Sequence, residues 1–212
     1  MHISNERYFD DRLRHDVALR MIRHEARTCT IRTCTALTDD RIRRLYQTFV
    51  VYMPTVQTRR HRGKSPRQIA FFTRNPHVQF EASLLAGLFS TLGLMEASAP
   101  ARDSVEYGRL FCDAYETHIQ LMPTGVLSFE HGWFLLQLLT RKNGLRTMRC
   151  RQCEGQFLFD RGTVVRLACP ACEIRQVPTS EGGRRRRKAK APRRSTLTTL
   201  RDVRPPPARS PS

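Results

Sequence analysis

Four cysteines in the stretch CRQCEGQFLFDRGTVVRLACPAC form two pairs, Cys150 with Cys153 and Cys169 with Cys172. Two residues lie inside each pair and fifteen between the pairs. A Cys-x2-Cys knuckle turns two thiolates toward one side of an ion, and two knuckles complete the tetrahedral sulfur cage that zinc takes. Gly155 gives the first knuckle a permissive backbone and Pro170 stiffens the second. Between the pairs, QFLF and TVVRL read as two short strands joined at DRG, a zinc-ribbon-like hairpin closed by metal. Such a hairpin has almost no core, whereas structural zinc contributes about 10–16 kcal/mol in finger peptides. One structural Zn(2+) per chain is therefore expected, with iron in the same sulfur cage or free redox thiols as the alternatives.

Catalysis fits these residues poorly. Four thiolates leave no open position on the ion, while a catalytic zinc keeps one. The deaminase pattern needs Pro-Cys-x-x-Cys after His-x-Glu, and here the proline lies inside CPAC; no HExxH occurs either. No catalytic or organic-cofactor residue is assigned, and the chain is expected not to be an enzyme.

The elements that must carry this module belong to a strongly basic chain of 212 residues with a formal net charge of +18. From Glu181 to Ser212, eleven Lys or Arg face only Glu181 and Asp202, so the tail holds +9 and the rest holds as much. A polyanion is the first partner to consider. The start, MHISNERYFDDRLRH, lacks the apolar core of a signal peptide, and ASLLAGLFSTLGLM is too short to cross a bilayer. A cytoplasmic protein without membrane contact is expected. Its reduced thiols make Cys29, Cys34 and Cys112 small buried residues, with Cys29 and Cys34 as an alternative redox pair.

Periodicity gives a mainly α fold. Residues 16–29 carry Val17, Met21 and Ile22 at helical spacing. After a short segment, Thr38 caps a second helix with Asp39 and Asp40 in its first turn. Ile42, Leu45, Tyr46 and Phe49 form its apolar stripe, leaving Arg41, Arg43 and Arg44 on the open side. Two helices in residues 1–55 suggest a helix-turn-helix variant; an amphipathic helix with a solvated arginine face would look the same. TRRHRGKSPR, within 56–74, reads as an exposed basic loop, either a phosphate-binding segment or a solubilising linker. Residues 75–147 form a helical core. Asn75 caps its first helix, with Pro76 behind it and Phe80, Leu84, Leu88, Leu92 and Met95 in periodic array; Asp103 with Glu106 opens a second, and Ser128 caps a third through Trp133, Leu136 and Leu139. His77, His118 and His131 are expected to be core or surface residues. The cysteine module spans 148–175, and 176–212 reads as a disordered basic tail.

In this order, DDRIRRLYQTF, a basic Pro/Gly loop, FEASLLAGLF with GWFLLQLL, then CRQCEGQF and CPAC resemble the FlhC family over roughly residues 17–175. These are C subunits of the bacterial flagellar master transcriptional activator. The resemblance implies assembly with an FlhD-type subunit, four D and two C chains together, binding to double-stranded DNA at flagellar promoters, and recruitment of RNA polymerase. It places the family's zinc ligands on Cys150, Cys153, Cys169 and Cys172. Two departures stand out: Glu25 precedes Ala26 and Arg27 where the family commonly has glycine, and the loop is longer, running RRHRGKSPRQIAF.

The expected function is thus a DNA-binding activator subunit working in a hetero-oligomer. Arg41, Arg43, Arg44, Arg59, Arg60, Arg62 and Lys64 are the candidate DNA contacts. The alternative is an RNA-associated or general nucleic-acid-binding zinc-ribbon protein, since cationic ribbons and arginine tails suit RNA equally well.

Overall fold

Seven helices, a short 3-10 turn and one two-stranded sheet make up the described residues of the computed structural model, which are 2–52, 58–61, 66–141, 144–162 and 169–176, with side chains from residue 7 onward. In chain order these are α1 His2–Arg23, α2 Thr28–Thr35, α3 Asp39–Tyr52, the 3-10 turn Ile69–Thr73, α4 Pro76–Thr91, α5 Val105–Leu121, α6 Phe129–Thr140, β1 Leu145–Arg149, β2 Gln156–Asp160 and α7 Pro170–Gln176. Arg62, Lys64, the TVVRL stretch and the tail from residue 177 lie outside the described residues.

The N-terminal region differs from the expected helix pair. The helix expected over 16–29 ends at Arg23, and the segment before Thr38 is itself helical, as α2. Threonine and cysteine are weak helix formers, so the periodic signal there is faint; α2 persists because Thr30, Ile31, Cys34 and Thr35 are buried against its neighbours. Three residues with left-handed Ala36 (φ 55°) join it to α3. The α3 stripe is as expected: Ile42, Tyr46 and Phe49 are buried, and Arg41, Arg43 and Arg44 are exposed. Thr38 Oγ1 accepts the Arg41 N–H at 3.4 Å.

Capping fixes the helices of the middle region. Asn75 Oδ1 accepts the Val78 N–H at 2.9 Å, and Ser128 Oγ accepts that of His131 at 3.3 Å. The second cap is Ser104, whose Oγ takes the Tyr107 N–H at 3.1 Å, rather than Asp103; the acid at Glu106 instead pairs with Arg109 at 2.6 Å. Phe89, Phe111, Phe129 and Trp133 interleave where α4, α5 and α6 meet, Phe111 lying edge-on to Phe129 at 4.9 Å and to Trp133 at 5.1 Å. Along α4 the buried apolar side chains are Val78, Ala82, Leu85, Ala86 and Phe89; Phe80, Leu84 and Leu88 of the expected stripe are only half buried. Helix α5 reaches α2 at Gly108, where a Cβ would stand 2.7 Å from that of Cys34, so any larger residue would force the helices apart. Cys34 and Cys112 are fully buried, and burial pushes the Cys112 thiol up to about 12, which makes them inert packing residues. Cys29 is exposed, contrary to expectation, and Cys34 is sealed in the core, which does not suit a reactive pair.

One buried polar clamp joins three of these elements. Glu81 of α4 accepts the N–H groups of Val126 and Leu127, each at 2.9 Å, and its Oε1 lies 3.2 Å from His118 Nε2 of α5. Burial alone would raise the Glu81 carboxyl, but the His118 imidazole and the two N–H groups outweigh it and hold the group below its ordinary value. His118 is therefore a core partner, His131 stacks on Phe71 at 4.1 Å, and His77 is exposed. A carboxyl depressed on folding contributes stability that is complete above its unfolded value of about 4.3 and is lost as pH falls through the lower folded value. Glu81→Gln is expected to cost about 1–3 kcal/mol at pH 7. Urea denaturation should show that deficit shrinking toward pH 3.

Candidate metal centre and basic face

A hairpin presents the first cysteine pair; the TVVRL strand expected opposite QFLF lies outside the described residues. QFLFD pairs antiparallel with Leu145–Arg149, a strand that straddles the expected boundary at 147/148 between helical core and cysteine module, in the register Leu145 with Asp160 and Arg149 with Gln156. Its turn is the first knuckle: Cys150 N–H donates to Gly155 O and Glu154 N–H to Cys150 O, both at 3.0 Å. The left-handed residue of that turn is Glu154 (φ 59°), not Gly155. The second knuckle opens a helix, α7.

These two turns bring Cys150, Cys153, Cys169 and Cys172 together, with all four Sγ atoms within 4.8 Å of one another. A tetrahedral site with Zn–S bonds of about 2.3 Å separates its sulfurs by roughly 3.8 Å, and Cys153 Sγ to Cys169 Sγ measures 3.5 Å. Backbone N–H groups of Gln152 and Cys172 point at Cys150 Sγ and Cys169 Sγ at 3.4 Å each, as knuckle amides do toward thiolates. Hydrogen bonds from the Cys153 and Gln152 backbone hold the Cys150 thiol down to about 6, while its neighbour Cys169 and burial push Cys172 up to about 12. Four sulfurs this close cannot all ionise unaided; a divalent cation would remove the repulsion. The donor set thus fits a closed metal site, and it is the only such His, Cys, Asp or Glu group among the described residues.

The module is docked on α4. Leu158 turns its backbone away from β1, donating its N–H to Ser83 Oγ at 2.9 Å and accepting from Gln79 Nε2 at 2.7 Å. Two polar side chains of α4 thereby satisfy both backbone groups of Leu158. The half-buried face of α4, with Phe80, Leu84 and Leu88, lines a cavity of about 590 Å³ against Phe157, Cys169 and Pro170. This docking explains why Phe80, Leu84 and Leu88 recur without entering the deepest core.

The candidate arginines fall into two groups. Arg41 lies 3.4 Å from Asp11 and Arg43 2.8 Å from Asp40, exposed pairs of small worth. Arg44 is exposed with no acidic partner among the described residues. Arg59 is exposed, Arg60 half buried with a guanidinium N–H donated to Thr28 Oγ1 at 3.2 Å. Sequence reasoning missed Arg149, Arg151 and Arg161, exposed on the cysteine module; their position beside a knuckle and at the hairpin's ends was the available signal. It also passed over the use of Glu25, whose carboxylate accepts the Arg59 N–H at 2.9 Å and lies 2.7 Å from His61 Nε2.

The fold and the cysteine cluster define a mainly helical protein carrying a small module able to hold a metal ion, beside exposed arginines. No described helix is long and apolar enough to cross a membrane. The family model for flagellar transcriptional activators, FlhC, matches residues 8–189, and the chain belongs to that family. No curated protein matches it. Transcriptional activators are not an enzyme class.

If Ser83 and Gln79 fasten the module, Ser83→Ala should leave the Leu158 N–H buried without an acceptor and cost about 1–3 kcal/mol. Amide exchange at Leu158 should quicken while the four thiols still take up metal, a result that thiol-accessibility and exchange measurements would check.

Proposed function

We propose that this chain is the DNA-contacting, zinc-tied C subunit of a hetero-oligomeric flagellar activator. The observation that carries the reading is the joint occurrence, in a member of this family, of a closed four-thiolate cluster and exposed arginines on α3 and the loop at 58–61. Zinc held by Cys150, Cys153, Cys169 and Cys172 would replace the hydrophobic core that a hairpin of two five-residue strands lacks. It supplies folding energy and no reaction step. Helices α2 and α3, joined by a three-residue turn, have the connection a helix-turn-helix uses.

In this reading Arg44 and Arg59, whose guanidinium groups have no acidic partner among the described residues, are the first phosphate contacts, followed by Arg41, Arg43 and Arg60 after exchange of their present partners for DNA. Arg62 and Lys64, which follow shortly in the sequence, complete the candidate set. An FlhD-type partner would cover apolar side chains such as Tyr8, Phe9 and Leu13 of α1, which are 66%, 62% and 41% exposed. Four D and two C chains, RNA polymerase contact and a cytoplasmic setting belong to the same reading.

The test is binding of the zinc-loaded chain, with and without a D-type partner, to a flagellar promoter duplex, a scrambled duplex and structured RNA. Promoter preference that needs the partner is the expected result, with affinity falling about 10³- to 10⁵-fold between 50 and 200 mM salt if roughly 6–10 phosphates are neutralised. Equal binding to all three nucleic acids would replace it with the general nucleic-acid-binding alternative. Cys169→Ser should lose metal and DNA binding together; stoichiometric zinc with unchanged affinity in that variant would remove zinc's structural role.

A further inference from the structure

Glu25 closes α1 in a conformation that its side chain does not favour. Its φ is 59°, in the left-handed region where helix ends usually place glycine. The turn itself needs only backbone: Glu25 N–H donates to Ile22 O at 2.9 Å and Ala26 N–H to Met21 O at 3.0 Å. Glycine would make the same two bonds without the steric cost.

What glutamate adds lies across the turn. One carboxylate oxygen accepts the Arg59 N–H at 2.9 Å, and the other stands 2.7 Å from His61 Nε2. Between these, Arg60 donates to Thr28 Oγ1 at 3.2 Å. Three consecutive residues of the basic loop are each fastened to Glu25 or to Thr28 at the start of α2. The fastening of Arg59 uses its main chain only, so its guanidinium stays exposed and has no acidic partner among the described residues.

We propose that Glu25 is a positioning residue, a clasp that holds the 59–61 loop in the form that presents Arg59 to DNA phosphate. This rests on the DNA-binding reading above. A loop ordered in advance spares the entropy of ordering it on contact, worth about three- to tenfold in affinity for one or two side chains. Simple electrostatics points the other way, because Glu25 repels a polyanion and its removal raises the net charge by one. The direction of the effect therefore separates clasp from repulsion.

The experiment compares the full chain and its Glu25→Gly variant, each with metal and partner bound. It measures exchange of the Arg59 amide without DNA, the thermal midpoint, and affinity for a flagellar promoter duplex at fixed salt. The expected result is Arg59 exchange faster by about tenfold or more, a thermal midpoint that does not fall, and affinity weaker by about three- to tenfold. Glu25→Gln, which retains a carbonyl oxygen for the Arg59 N–H, should lie between the two. Unchanged Arg59 exchange would overturn the clasp, and so would a loosened loop with unchanged or tighter DNA binding. If the unsubstituted chain shows no DNA binding at all, the DNA-binding reading falls and takes the clasp's purpose with it, while Arg59 exchange still reports whether the clasp exists.

Discussion

The segment from Glu25 to Thr28 is fastened to three other parts of the fold. Ala26 O accepts the Tyr46 hydroxyl of α3, Arg27 N–H donates to Glu130 of α6 at 2.8 Å, and Glu25 and Thr28 receive the basic loop. Each bond satisfies a backbone or side-chain group at a helix end that would otherwise need water. The left-handed backbone at Glu25 reverses the chain sharply enough for α2 to pack beside α1, and the orientation of α3 follows. A steric cost at one residue is offset by contacts to three other parts of the fold.

The cysteine module depends on a different kind of support. Its two strands have five residues each, too little to be stable alone in water. It gains order from the sulfur cluster on one side and from α4 on the other, where Gln79 and Ser83 complete the hydrogen bonding of Leu158. The sulfur cluster and the docking on α4 are therefore parts of one folding unit. The position of the exposed Arg149, Arg151 and Arg161 is inherited from both.

Charge is distributed with similar economy. Arginines that staple helices are matched to acids, as Arg20 is to Asp113 at 2.6 Å and to Glu116 at 2.8 Å. The guanidinium groups of Arg44 and Arg59 are left without acids among the described residues. A net charge of +18 does not by itself say which cations are free to meet a polyanion; the pairing does.

Much of this was legible in the sequence for local reasons. The Cys-x2-Cys spacing determined the sulfur cluster because a knuckle is set by a few consecutive residues, and Asn75 and Ser128 announced their helices because a cap is a contact across three residues. The α3 stripe was readable because burial there follows the helical period. Tertiary structure decided what depends on distant partners. Helix α2 exists by burial against its neighbours despite weak propensity. Strand β1 was hidden because five residues ending in arginine become a strand only opposite QFLFD. Glu25 looked like a mere departure from a glycine until the fold brought Arg59 and His61 to it, since a carboxylate's role is fixed by donors more than thirty residues away, which no local pattern encodes.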